Sequence, residues 1–84
     1  MEDIQIESIK AINILNELII RVNTETKYAA FIYVMGHIQK IEVNIAKSKS
    51  EYNIFIYSSD DIDFYDIEGI NKLSKDIIPF LFKG

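Results

Sequence analysis

The chain has 84 residues, 49% hydrophobic and 26% charged, with no cysteine and a formal net charge of −4. That length holds one domain with a small core, and the apolar content excludes a disordered chain. The absence of cysteine excludes disulfides, thiolate metal sites and thiol nucleophiles, and the acid excess argues against phosphate-backbone binding.

A reducing compartment suits a small domain without disulfides, so a cytoplasmic location is expected. No apolar run approaches the roughly 18 residues of a membrane helix, so no membrane association is expected. The start, Met1-Glu2-Asp3-Ile4-Gln5, is acidic and lacks the basic opening of a signal peptide. Ile, Asn, Lys, Tyr and Phe are abundant and Arg21 is the single arginine. All five have AT-rich codons, which points to the genome of a low-GC bacterium, its phage or a plasmid. A phage-encoded chain would act in the host cytoplasm.

The first segment, Ile4 to Asn23, reads as a helix. Ile9, Ile12, Leu15, Ile19 and Val22 recur at three- and four-residue steps, with Lys10, Asn13, Glu17 and Arg21 opposite. Ile6, Ile14 and Ile20 widen the apolar arc to about 240°, as in a helix covered from more than one side. Asn23-Thr24-Glu25-Thr26 is predicted to stop it. Tyr28 to Met35 reads as a strand, apolar on both faces. Gly36-His37 marks a turn. Ile41, Val43 and Ile45 alternate with Lys40, Glu42 and Asn44, a half-buried strand. Ile38 is out of phase, which implies a bulge near Gln39 or Lys40 or a later strand start.

Lys47-Ser48-Lys49-Ser50 is a hairpin loop before a third strand, Glu51 to Ser58. Tyr52, Ile54 and Ile56 fall on one face of that strand, Asn53, Phe55 and Tyr57 on the other. Loops this short imply an antiparallel meander. Ser59-Asp60-Asp61 leaves the sheet and could cap a short helical turn. A second helix begins at Asp66 or Ile67, with Ile70, Leu73, Ile77, Phe80 and Leu81 on one face, and ends or kinks at Pro79. The tail Phe80-Leu81-Phe82 is apolar enough to dock on the core. The expected fold is α+β: helix, three-stranded antiparallel meander, helix (αβββα) in two layers, a single domain over residues 1–84.

His37 is the only histidine and reads as a turn residue. One histidine without cysteine cannot build the usual zinc site. The acids Asp60, Asp61, Asp63, Asp66 and Glu68 do not form a calcium loop. Counted from Asp61, the glycine position holds Asp66 and the twelfth holds Lys72. These carboxylates solvate a connection and favour the positive end of the next helix. With Tyr65 among them, they also suit a docking patch for a basic protein partner, standing in for phosphates.

If Ile32, Val34, Ile41, Val43, Ile45, Ile54 and Ile56 face the helices, the reverse face of the sheet carries Phe31, Tyr33, Phe55 and Tyr57. Exposed there, they suit an interface; alternatively a helix crosses over and covers them. The glycines Gly36, Gly69 and Gly84 form no phosphate loop, and there is no nucleophile elbow or catalytic triad spacing. The chain is therefore expected not to be an enzyme and to need no cofactor or metal.

The element order resembles the double-stranded-RNA-binding domain over most of the chain. That family grips RNA with a basic cluster at the start of its second helix. Here the corresponding stretch, Asp60-Asp61-Ile62-Asp63-Phe64-Tyr65-Asp66, has the opposite sign. Size, acidity and element order also resemble small phage anti-CRISPR inhibitors, in which carboxylates face the DNA-binding groove of a nuclease. The segment Asp60 to Glu68 carries that likeness, without a shared motif. It implies a phage or mobile-element inhibitor that binds a host defence or nucleic-acid-processing protein. The alternatives are a homo-oligomeric module that captures a small ligand, and an RNA-binding domain using the aromatic face with Lys40, Lys47 and Lys49.

Overall fold

The structure, a computed structural model, describes residues 2–83. Helix α1 spans Glu2–Glu25, longer at both ends than the sequence pattern indicates. Asn23 does not stop it, because its amide bonds to Ala30 across the chain reversal instead of to its own turn. Hydroxyls bond back onto the last turns: Thr24 donates to the Ile20 carbonyl, and Thr26 gives both its N–H and its hydroxyl to the Val22 carbonyl.

The buried stripe of α1 is Ser8, Ala11, Leu15, Leu18, Ile19 and Val22, with Ile12 partly covered. This corrects the expected stripe, since Ile9 is 60% exposed. With isoleucine or leucine on most sides, periodicity leaves the rotation of the helix open. The small Ser8 and Ala11 settle it by permitting close approach; Ser8 Oγ donates to the Phe64 carbonyl.

The strands are β1 (Ala29–Met35), β2 (Lys40–Ala46), β3 (Phe55–Ser58) and β4 (Ile62–Asp63). β1, β2 and β3 form an antiparallel meander. β4 pairs with the start of β2, Lys40 opposite Asp63 and Ile41 opposite Ile62. In the β1–β2 pairing Phe31 faces Asn44 and Tyr33 faces Glu42. Gln39 closes the turn between them with φ 53°, a left-handed conformation uncommon for a residue other than glycine. The second strand therefore starts late, at Lys40, and Ile38 lies in the turn.

β3 is shorter than expected, because residues 51–54 belong to the loop. Lys49 anchors that loop by donating to the carbonyls of Thr26 and Tyr28, and Lys47 N–H donates to the Ile54 carbonyl. The pairing shifts between Ile45–Tyr57 and Ala46–Phe55, which leaves Ile56 as the extra residue of a bulge. The bulge corrects the predicted faces of this strand. Tyr57 turns toward the helices and packs on the core, while Ile54 and Ile56 are exposed.

Helix α2 covers Ile67–Ile77 and a last turn, α3, covers Phe80–Lys83, broken at Pro79 as the sequence indicates. Ile70, Leu73 and Ile77 meet Leu15, Val22 and the inward row Ile41, Val43, Ile45 of β2 in one core. Phe80 docks edge-on against the rings of Tyr28 and Tyr57, but Phe82 stays exposed. Both long helices contribute to this one core, on the inward side of the sheet. The fold is α+β in two layers, with the reverse side of the sheet left without a helix.

Candidate functional site

The acidic segment runs along the edge of the sheet opposite β1. Ser59 N–H donates to the Val43 carbonyl and Ser59 Oγ accepts from Val43 N–H, so the chain stays tied to β2 before β4 begins. It does not form the helical turn expected at Asp60-Asp61; those residues link β3 to β4 without regular secondary structure. Asp60, Asp61, Asp63, Asp66 and Glu68 are all exposed, as is Tyr65.

Two of these carboxylates have structural work. Asp63 Oδ1 accepts from Tyr65 N–H at 2.9 Å, an Asx turn. Asp66 Oδ1 accepts from Gly69 N–H at 3.0 Å and caps α2. Asp60, Asp61 and Glu68 have no such bond among the described residues. The ion pairs among those residues, Arg21–Glu25 and Lys47–Glu51, lie elsewhere. The segment is thus a set of carboxylates on a backbone held at both ends, with no ion pair to them among the described residues.

On the reverse face Phe31 stacks on Tyr33 at 6.5 Å and meets Phe55 edge-on at 6.2 Å. Asn44, between Phe31 and Ser58 in the pairing, donates to Glu42 at 3.0 Å. Tyr57 does not join this group. Its hydroxyl donates to Asp76 of α2 at 3.2 Å, and burial, then the Asp76 carboxylate, pushes its pKa up to about 12.

Two features of the structure leave no pattern in the sequence. One is a recess of about 320 Å³ bounded by Gln5, Ile9, Ile12, Val34, Phe64 and Tyr65. Val34, placed among the core residues by its alternation, is 60% exposed at its rim. The other is the Tyr57–Asp76 bond, which depends on a bulge that alternation cannot reveal. His37 sits exposed in the β1–β2 turn. Among the described residues, no group of three His, Cys, Asp or Glu is placed to hold a metal ion, and no helix is long and apolar enough to cross a membrane. No protein-family model, no curated protein and no solved structure gives a significant match to this chain.

Proposed function

We propose that this chain is a non-catalytic interaction protein that covers a basic, nucleic-acid-binding surface of another protein and blocks it. The observation that carries the reading is the acidic segment. Asp60, Asp61 and Glu68 are exposed and unpaired among the described residues, while Asp63 and Asp66 fix the backbone between them. Carboxylates held in place lose little freedom on meeting lysines and arginines, and their negative field steers a basic partner in. A phage or mobile-element inhibitor of a host nucleic-acid-processing protein fits this chemistry.

The decisive variant reverses charge where no fold contact is lost: Asp60→Lys, Asp61→Lys and Glu68→Lys together. Tagged wild-type chain is expected to retain a protein from host lysate that salt or duplex DNA displaces, and the triple variant to retain none. Equal retention by both would remove the electrostatic reading.

A second reading, self-association, is favoured by a different observation. Large apolar side chains such as Ile9, Ile20, Val34, Phe55 and Phe82 are exposed on a chain of this size.

A further inference from the structure

The two flanks of α1 face different neighbours. Glu7, Lys10 and Ile14 border a recess against Ile67 and Asn71 of α2. On the opposite flank Gln5, Ile9 and Ile12 border Val34 of β1, and Asn23 reaches Ala30. At about 100° per residue, Gln5, Ile9, Ile12, Asn16, Ile20 and Asn23 share an arc of roughly 80°. From Gln5 to Asn23 that arc carries no charge; Glu2, one turn before it, shares the angle of Ile20. Asp3, Glu7, Lys10, Glu17, Arg21 and Glu25 gather in a separate arc of about the same width.

The uncharged flank lies beside the free edge of β1. Both backbone groups of Ala30 bond to Asn23, so they point away from β2. Alternation in an antiparallel pair points those of Ile32 and Val34 the same way. Asn23 already occupies the outward groups of Ala30, so the open part of the edge is Ile32 and Val34; there the strand has no charge, proline or bulge, which are other devices that protect an edge.

We propose that this edge is the interface of a homodimer. β1 pairs antiparallel with β1 of a second copy across a two-fold axis, and the uncharged flanks of the two α1 helices pack over the joint. The occupant is a second copy because a strand antiparallel to itself is self-complementary. Neither surface sets like charges of this acidic chain against each other. A basic partner, by contrast, finds no carboxylate on this flank from Gln5 to Asn23. The size is also adequate. A helix of 24 residues is about 36 Å long. The flank from Gln5 to Asn23 takes about 27 Å of that, and at about 20 Å deep, a helix layer on a sheet, it covers roughly 540 Å², near the ~600 Å² per partner at the low end of specific interfaces. The acidic segments then lie on the far edges of the joined sheet. The inference deepens the self-association reading and does not depend on the acidic segment.

The test is solution mass by light scattering on a sizing column at about 100 μM, well above a micromolar Kd. Wild-type chain is expected at twice its 9.8 kDa. Ile9→Lys with Ile20→Lys, both exposed helix positions, should give a folded monomer by circular dichroism. Val34→Pro removes only an outward N–H and should also give a monomer, while Phe55→Lys should leave the dimer intact. A wild-type monomer overturns both the interface and the self-association reading. A dimer that survives Ile9→Lys with Ile20→Lys, or that Phe55→Lys breaks, overturns this interface and leaves self-association standing.

Discussion

The side-chain amide of Asn23 holds both backbone groups of Ala30: Nδ2 donates to the Ala30 carbonyl at 2.9 Å and Oδ1 accepts its N–H at 2.7 Å. One residue at the end of α1 thus acts as a short partner strand for the first turn of β1. It fixes where the helix stops and the sheet begins, because the amide reaches Ala30 only if α1 continues to its last turn.

Asn23→Ala removes both bonds from a partly buried site. The expected cost is about 1–3 kcal/mol, read from chemical denaturation. Amide exchange at Ala30 should accelerate, while exchange at Ile45, inside the meander, should follow only the change in global stability. Asn23→Asp keeps the acceptor but sets a carboxylate oxygen against the Ala30 carbonyl in place of the donor, so it should cost at least as much as alanine.

Gly69 interrupts the first turn of α2, where alanine normally gains about 1 kcal/mol. Here a Cβ would lie 2.5 Å from Oδ2 of Asp66, the carboxylate that caps the helix. The cap is worth about 0.5–2 kcal/mol. Gly69→Ala is therefore expected to leave stability unchanged or to lower it. In an Asp66→Ala background, with no carboxylate to displace, the same change should stabilise. A double-mutant cycle from thermal unfolding gives the sign directly.

Much of the fold was legible in the residues because each element had one clear period or stop. Ile41, Val43 and Ile45 alternate cleanly and are the inward row; Ile70, Leu73 and Ile77 mark one face of α2, and Pro79 ends it. The errors fall where the sequence is apolar on several sides. Ile9 and Ala11 both fit a helical stripe, and only the approach of residue 64 to Ser8 selects the rotation that buries Ala11. In Phe55–Ser58 every residue but the last is apolar, so no alternation reveals a bulge that turns Tyr57 inward and Ile56 out. The acidic segment was visible as composition. Its path along β2 was not, because that path rests on Ser59 bonding to Val43.

Ser74 is buried on the inner face of α2, and among the described residues its hydroxyl has no hydrogen-bond partner. An unpaired buried hydroxyl is unfavourable, and alanine is the better helix former. Ser74→Ala is expected to raise stability by about 1 kcal/mol, measured as a rise in the denaturation midpoint at constant m-value. Ser74→Val adds bulk at a packed, β-branched-averse helix position and should reverse the gain.

Tyr57 links stability to alkaline pH. Burial and the neighbouring Asp76 carboxylate push its folded-state pKa up to about 12, against about 10 for a free tyrosine. A raised pKa means the folded chain holds the proton more tightly than the unfolded chain. The contribution is therefore fully present below pH 10 and is lost as pH rises toward 12. Other tyrosines and lysines titrate in the same range, so the informative quantity is a difference. Denaturant-unfolding free energy of wild-type chain minus that of Tyr57→Phe should be constant from pH 7 to 9 and then shrink between pH 10 and 12. A difference that stays flat through that window would show that the Tyr57 hydroxyl ionises as freely in the folded chain as in the unfolded one.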